Sequence, residues 1–189
     1  MFRTTALALA LLISLPGAAM AQQSPVPTRT AFDHEFMAID GKPMPLAEHR
    51  GKALLVVNTA SFCGYTHQYQ GLQALHERYA ARGLVVIGIP SNDFGSQEPK
   101  SNGEIAEFCQ GAFNVTFPLA EKQVVKGTTA HPFYLWARQT LGDVSVPRWN
   151  FHKYLVDRNG KLVGAFPSAV EPQSPKLVNA IEAALGPQS

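Results

Sequence analysis

Two apolar runs decide how this chain folds: Ala53-Leu-Leu-Val-Val-Asn-Thr59 and Leu84-Val-Val-Ile-Gly-Ile89. Each is short, rich in aliphatic residues and free of the polar alternation of a half-exposed strand, so each reads as a strand buried on both faces of a sheet. Between them Tyr69, Leu72, Leu75 and Tyr79 recur at helical spacing over residues 66–81. Gly83 stands just past the end, where a left-handed cap is wanted. Strand, helix and strand within residues 53–89 make a βαβ crossover, which sets the two strands parallel.

Outward from that unit the pattern stays regular. Ser101-Asn-Gly-Glu104 is a capping box opening a second helix, with Ile105, Phe108, Cys109 and Ala112 as its apolar stripe. Residues 131–141 read as a third helix with Pro132 in its first turn. Residues 153–157 and 161–165 flank Arg158-Asn-Gly160, a tight-turn signal that predicts a hairpin. Ser174-Pro175 starts a last helix that turns Leu177, Ile181 and Leu185 inward. A leading βαβ unit, helices, an antiparallel hairpin and a closing helix is the order of an α/β, thioredoxin-like fold: a central mixed sheet flanked by helices.

At 189 residues, 46% hydrophobic and 16% charged, the chain has material for one packed domain and is too apolar for disorder. A formal net charge of +2 leaves no electrostatic footprint for nucleic acid, which is set aside as a partner. Met1-Phe-Arg3, an apolar stretch over residues 6–15, Pro16-Gly17 and Ala19-Met-Ala21 compose a secretory signal peptide over residues 1–21, cut after Ala21. Residues 22–30, with Pro25 and Pro27, read as a flexible lead-in, and residues 31–189 as the domain. Its bacterial style predicts a periplasmic or secreted protein. In such an oxidising place the two cysteines, Cys63 and Cys109, are expected to serve redox chemistry, because a domain of this size needs no staple.

Cys63 follows a buried parallel strand and stands at the threshold of the next helix, where open α/β sheets place their chemistry and where backbone N–H groups favour a thiolate. Gly64 and Thr66 beside it argue against an inert core cysteine. The dithiol motif Cys-x-x-Cys is missing, since the string is Cys63-Gly-Tyr-Thr66. A peroxiredoxin signature is missing too: position 60 is Ala, and no Pro lies between Lys52 and Cys63.

Three strings point elsewhere. Asn58-Thr-Ala-Ser-Phe-Cys63-Gly-Tyr-Thr-His-Gln68-Tyr69, Ser91-Asn-Asp-Phe-Gly-Ser-Gln-Glu-Pro99 and Trp149-Asn-Phe-His-Lys-Tyr-Leu-Val156 resemble, in order, three blocks of the glutathione peroxidase family. The resemblance implies that Cys63 is the peroxidatic residue, whose thiolate opens a peroxide O–O bond and becomes a sulfenic acid. It implies that the Trp149 indole N–H and the Asn150 amide are donors aimed at that sulfur. One position departs: Asp93 stands where the family carries a catalytic Gln, and an ionised carboxylate can only accept. Either Asp93 is protonated, or it turns outward and Asn92 or a backbone N–H takes its place.

Family members that recycle through thioredoxin carry a resolving Cys on the second helix. Cys109 lies one residue short of that position, and it shares the apolar stripe. It stays open between a resolving thiol and a packed core residue. The resemblance implies a small-molecule or lipid hydroperoxide as substrate and a thiol reductant, glutathione or a thioredoxin-like protein, with no cofactor. No basic clamp for glutathione is evident, which tilts the reductant toward a dithiol protein. Only 17 residues separate His131 from Trp149, too few for the loop inserted in tetrameric relatives, so a monomer is expected.

The rival reading is a copper- or zinc-binding thioredoxin-like module of the Sco type, or a peroxide sensor without turnover. Its feature is Cys63-x3-His67, which on a helix would share a face, but the third ligand is not supplied. His131 and His152 read as surface or capping residues.

Overall fold

The computed structural model describes residues 29–187, so the signal-peptide segment and all but two residues of the lead-in lie outside the described residues. A small antiparallel hairpin comes first, β1 (Glu35–Met37) against β2 (Pro43–Pro45). The apolar pattern does not announce it, because strands of three residues, one of them starting and ending in proline, carry almost no alternation.

Next comes the crossover: β3 (Ala53–Thr59), α1 (Gln68–Tyr79) and β4 (Leu84–Pro90), with β3 and β4 parallel and Ala53 opposite Leu84. Gly83 closes the helical stretch at φ +88°, the left-handed cap that the sequence suggests. The chain continues through α2 (Asn102–Phe113), α3 (Pro132–Leu141), β5 (Lys153–Val156), β6 (Leu162–Phe166) and α4 (Pro175–Leu185). Strand order is β4-β3-β5-β6, with β5 antiparallel to β3 and β6 antiparallel to β5. The fold is α/β and thioredoxin-like, a mixed four-stranded sheet between helices.

Every residue of β3 and β4 is buried, as expected of a sheet covered on both sides. The period of two divides them between two cores. Leu54 and Val56 pack with Phe133, Tyr134 and Trp136 of α3. Ala53, Leu55 and Val57 pack with Leu72 of α1, Ile105 of α2 and Leu177 and Ile181 of α4. Burying each such aliphatic side chain contributes about 1.5–3 kcal/mol, which is what fixes helices of ten to twelve residues in place. The α2 stripe is narrower than its sequence implies. Ile105 and Cys109 point inward, Phe108 is half-buried and Ala112 is exposed, because α2 touches the core along one line only.

Residues 117–120 cover the outer edge of β4. Gly88 N–H donates to Pro118 O (2.9 Å) and Ala120 N–H donates to Gly88 O (2.8 Å). A Cβ at position 88 would stand 2.6 Å from Leu119 Cδ2, so a larger residue there would force the Leu119 side chain to shift.

Strand direction then gathers the chemistry. The carboxyl ends of β3, β4 and β6 and the amino end of β5 share one edge of the sheet. The loop holding Cys63, the loop after β4, the Trp149-Asn150 turn and the segment after Phe166 all meet there.

Candidate active site

Cys63 sits in a run of turns over residues 61–67, and α1 begins only at Gln68. The expected place at the helix threshold is corrected by several residues. The helix macrodipole fades within its first turn, so stabilisation of a thiolate falls to individual donors. One is present: Tyr65 N–H donates to Cys63 Sγ at 3.4 Å. Thr66 pins this turn, its hydroxyl donating to Ala60 O (3.0 Å) and accepting from Cys63 N–H (3.0 Å). The thiol is 8% exposed, at the rim of the core, beside Phe62 at 58%.

Asn150 is fully buried, and its Nδ2 donates to Gln97 Oε1 (3.0 Å). The Gln97 carbonyl accepts from Phe62 N–H (3.0 Å). One residue thus ties the Cys63 turn to the Asn150 amide. Asn58 Nδ2 donates to Trp149 O (3.1 Å), and Phe151 N–H donates to Asn58 O (2.6 Å). Phe151 holds φ +62°, costly for a bulky residue, and its buried ring is locked edge-on against Tyr69 at 5.3 Å. Trp149 is not core: its side chain is 39% exposed, packed on Phe94 at 6.0 Å and against Gly95.

Asp93 is half-buried and turns toward the segment before α3. Its Oδ2 accepts from Val125 N–H (2.7 Å) and Lys126 N–H (3.2 Å), anchoring the segment before α3. Asn92 Oδ1 accepts from Glu98 N–H (2.8 Å), bracing the loop from its other side.

Glu98 is fully buried, accepts the Ser61 hydroxyl at 3.1 Å, and its carboxyl is pushed above the usual range by burial. Gln97, Glu98 and Thr66 escape sequence reasoning as site residues. The first two stand inside a quoted block and the third beside Cys63, yet letters in a pattern do not say which side chain touches which.

Cys109 is fully buried in α2, and burial pushes its thiol up to about 11, with the Tyr69 hydroxyl beside it pulling weakly the other way. Both cysteines are free thiols. His67 does not share a helical face with Cys63. It precedes α1, with Nδ1 3.1 Å from Gly64 O and Nε2 3.2 Å from Glu171 Oε1. Among the described residues no three His, Cys, Asp or Glu side chains converge as a metal ion would require. His131 caps α3, accepting Phe133 N–H at 3.3 Å, and stacks on Phe36. His152 is not a surface residue: it is 5% exposed, and burial, helped by the nearby Lys153 charge, holds it down at about 4.

The site thus gathers the Cys63 turn, the loop after β4 and the buried Asn150 amide, tied together by Gln97. The family model named glutathione peroxidase matches residues 31–138. The chain belongs to the glutathione peroxidase family. It is a thiol-dependent peroxidase acting on hydroperoxides. A Synechocystis protein named hydroperoxy fatty acid reductase is 46% identical over 151 residues, 76% of this chain and 89% of that protein. The crystal structure of apo Trgpx superposes with a TM-score of 0.67 at 34% identity, covering 84% of this chain and 96% of that one. A thiol:disulfide interchange protein of the thioredoxin family from Chlorobium tepidum matches with a TM-score of 0.60 at 20% identity, covering 88% and 100%. That last likeness concerns the fold alone.

Proposed function

We propose that Cys63 is the reacting sulfur, that the Asn150 amide and the Trp149 indole are its donors, and that Asp93 stands outside the reacting set. The thiolate attacks the terminal peroxide oxygen and the O–O bond breaks. The leaving oxygen takes a proton and departs as water or an alcohol, and the sulfur, oxidised by two electrons, becomes a sulfenic acid. A thiol reductant then condenses with the sulfenic acid, releasing water, and a second thiol frees Cys63 by exchange. The observation carrying this reading is the Gln97 bridge, which joins the Cys63 turn to buried Asn150.

Cys109 is a core residue in this fold. A bond to Cys63 needs Cα atoms within about 7 Å and a thiol free of its packing, so α2 would have to unwind. We place the protein outside the cytoplasm on the strength of residues 1–21, as a monomer on the strength of the short segment between His131 and Trp149.

The test is intact mass after one equivalent of peroxide is added to the reduced protein, beside Cys63→Ser and Cys109→Ser. Gain of one oxygen that requires Cys63 alone is the expected result. Loss of two hydrogens that requires both cysteines would make Cys109 a resolving thiol. No prompt change would overturn Cys63 as the reacting sulfur.

A further inference from the structure

The edge of the sheet opposite Cys63 carries a cluster of charge that peroxide chemistry does not use. The amino ends of β3 and β4 and the turn between β5 and β6 meet there. The seven residues of β3 set the two edges about 20 Å apart. A cleft of about 620 Å³ opens at this far edge, lined by Arg50, Lys52, Arg82 and Arg158 and by no acidic side chain. In a chain whose formal net charge is +2, four cations on one cleft are a marked local excess.

The fold accounts for two of them. Arg82 pairs with Glu182 at 2.5 Å. Arg158 closes the end of α4 by donating from Nε to Leu185 O (2.7 Å), and it also donates from Nη1 to Gly51 O (2.9 Å) and from Nη2 to Arg82 O (2.6 Å). Its partners are neutral carbonyls, so the guanidinium is held in place with its charge uncancelled, and one N–H stays on each terminal nitrogen. Arg50 and Lys52 are exposed, and among the described residues neither makes an ion pair. Arg50 lies over the Phe32 ring at 5.2 Å, which steadies it without neutralising it. Three cations on the cleft therefore have no carboxylate partner among the described residues.

We propose that this cleft is a binding site for a phosphate group, remote from the peroxidatic sulfur. A phosphate monoester brings a charge of about −1.5 to −2 and three acceptor oxygens to the three unpaired cations. Arg50 and Arg158 offer planar N–H forks that match phosphate oxygens, and Lys52 adds a point charge. A single carboxylate would cancel one charge and leave two in repulsion. The volume of the cleft leaves room for the organic part of an ester beside the phosphate itself. Soluble phosphate esters and phospholipid headgroups share this chemistry. The site stands whether or not Cys63 is the reacting sulfur.

The test is calorimetric titration of the full chain with glycerol phosphate, and co-sedimentation with phosphatidylcholine vesicles made with and without phosphatidic acid. Acetate at equal ionic strength is the control. Saturable binding of glycerol phosphate is expected if the source is soluble, and binding to the phosphatidic acid vesicles alone if it is a lipid. Arg50→Gln and Lys52→Gln, both at exposed positions, should each weaken that binding about tenfold. Cys63→Ser should bind as the parent does. Without ligand the two variants should unfold at the parent's midpoint, and ligand should raise that midpoint less in them than in the parent. Failure of both phosphate sources to bind, binding no tighter than that of acetate, affinity that survives both substitutions together, or loss of binding in Cys63→Ser would each overturn the site.

Discussion

Single residues at this site are shaped by what burial does to their polar atoms. His152 shows the size of the effect. Above pH 6.5, the ordinary histidine value, it is neutral both folded and unfolded, so it costs nothing there. As pH falls below 6.5 the unfolded chain takes up a proton that the folded one refuses until about pH 4. Stability is therefore lost as pH falls through that window, by about 3 kcal/mol in full. Denaturant unfolding at pH 7 and pH 4.5 should show the parent losing more than His152→Gln, with the difference appearing between pH 6.5 and 4. The other histidines held low by burial, among them His131, act alike in both proteins and cancel. Equal losses in the two would mean that His152 is solvated. Asp93 and Asn150 divide on the same physics: the carboxylate is satisfied by the N–H groups of buried Val125 and exposed Lys126, whereas the amide is buried against Gln97.

At the scale of elements, β4 is held on one side by β3 and on the other by residues 117–120, which are not a strand but bond to Gly88 in both directions. A methyl group at 88 would have to displace the Leu119 side chain. Gly88→Ala should cost about 1–3 kcal/mol by overpacking. Amide exchange should rise at Ala120, whose N–H is bonded to Gly88 O, before it rises in β3. Unchanged stability would mean that Leu119 swings aside freely. The loop after β4 starts from this edge, so its precision depends on the same contact.

On the scale of the whole molecule, one buried cation joins three regions. Lys153 of β5, fully buried, donates from Nζ to Gln68 Oε1 on α1 (2.6 Å) and to Phe151 O (2.8 Å). Gln68 Nε2 in turn donates to Ser168 O (2.7 Å) and Glu171 Oε1 (3.1 Å), beyond β6. Burial lowers the Lys153 amine to about 8, with Glu171 opposing that shift, so the cation leans on these partners. Gln68→Leu should cost about 2 kcal/mol, the order of a buried hydrogen bond to a charged group. In a double-mutant cycle, adding Lys153→Met to it should cost less than Lys153→Met does alone, because the stranded charge is gone. Additive losses would mean that water replaces Gln68 without penalty.

The βαβ unit, the capped helices, the Asn-Gly hairpin and the inward faces of α4 are all legible along the chain, because each is written in local periodicity or turn chemistry. Cys63, Trp149 and Asn150 are legible there too, through strings that resemble a family. Tertiary structure alone decided the rest. The turn that carries Cys63 away from the first turn of α1 depends on the Thr66 hydroxyl meeting Ala60 O. The bond from Asp93 to the Val125 N–H, the Gln97 bridge and the buried His152 depend on partners 32 or more residues away, or on the packing of whole loops. Local pattern records how a segment bonds to itself. Which distant group satisfies a buried polar atom is fixed only when strand order and direction bring the loops to one edge of the sheet.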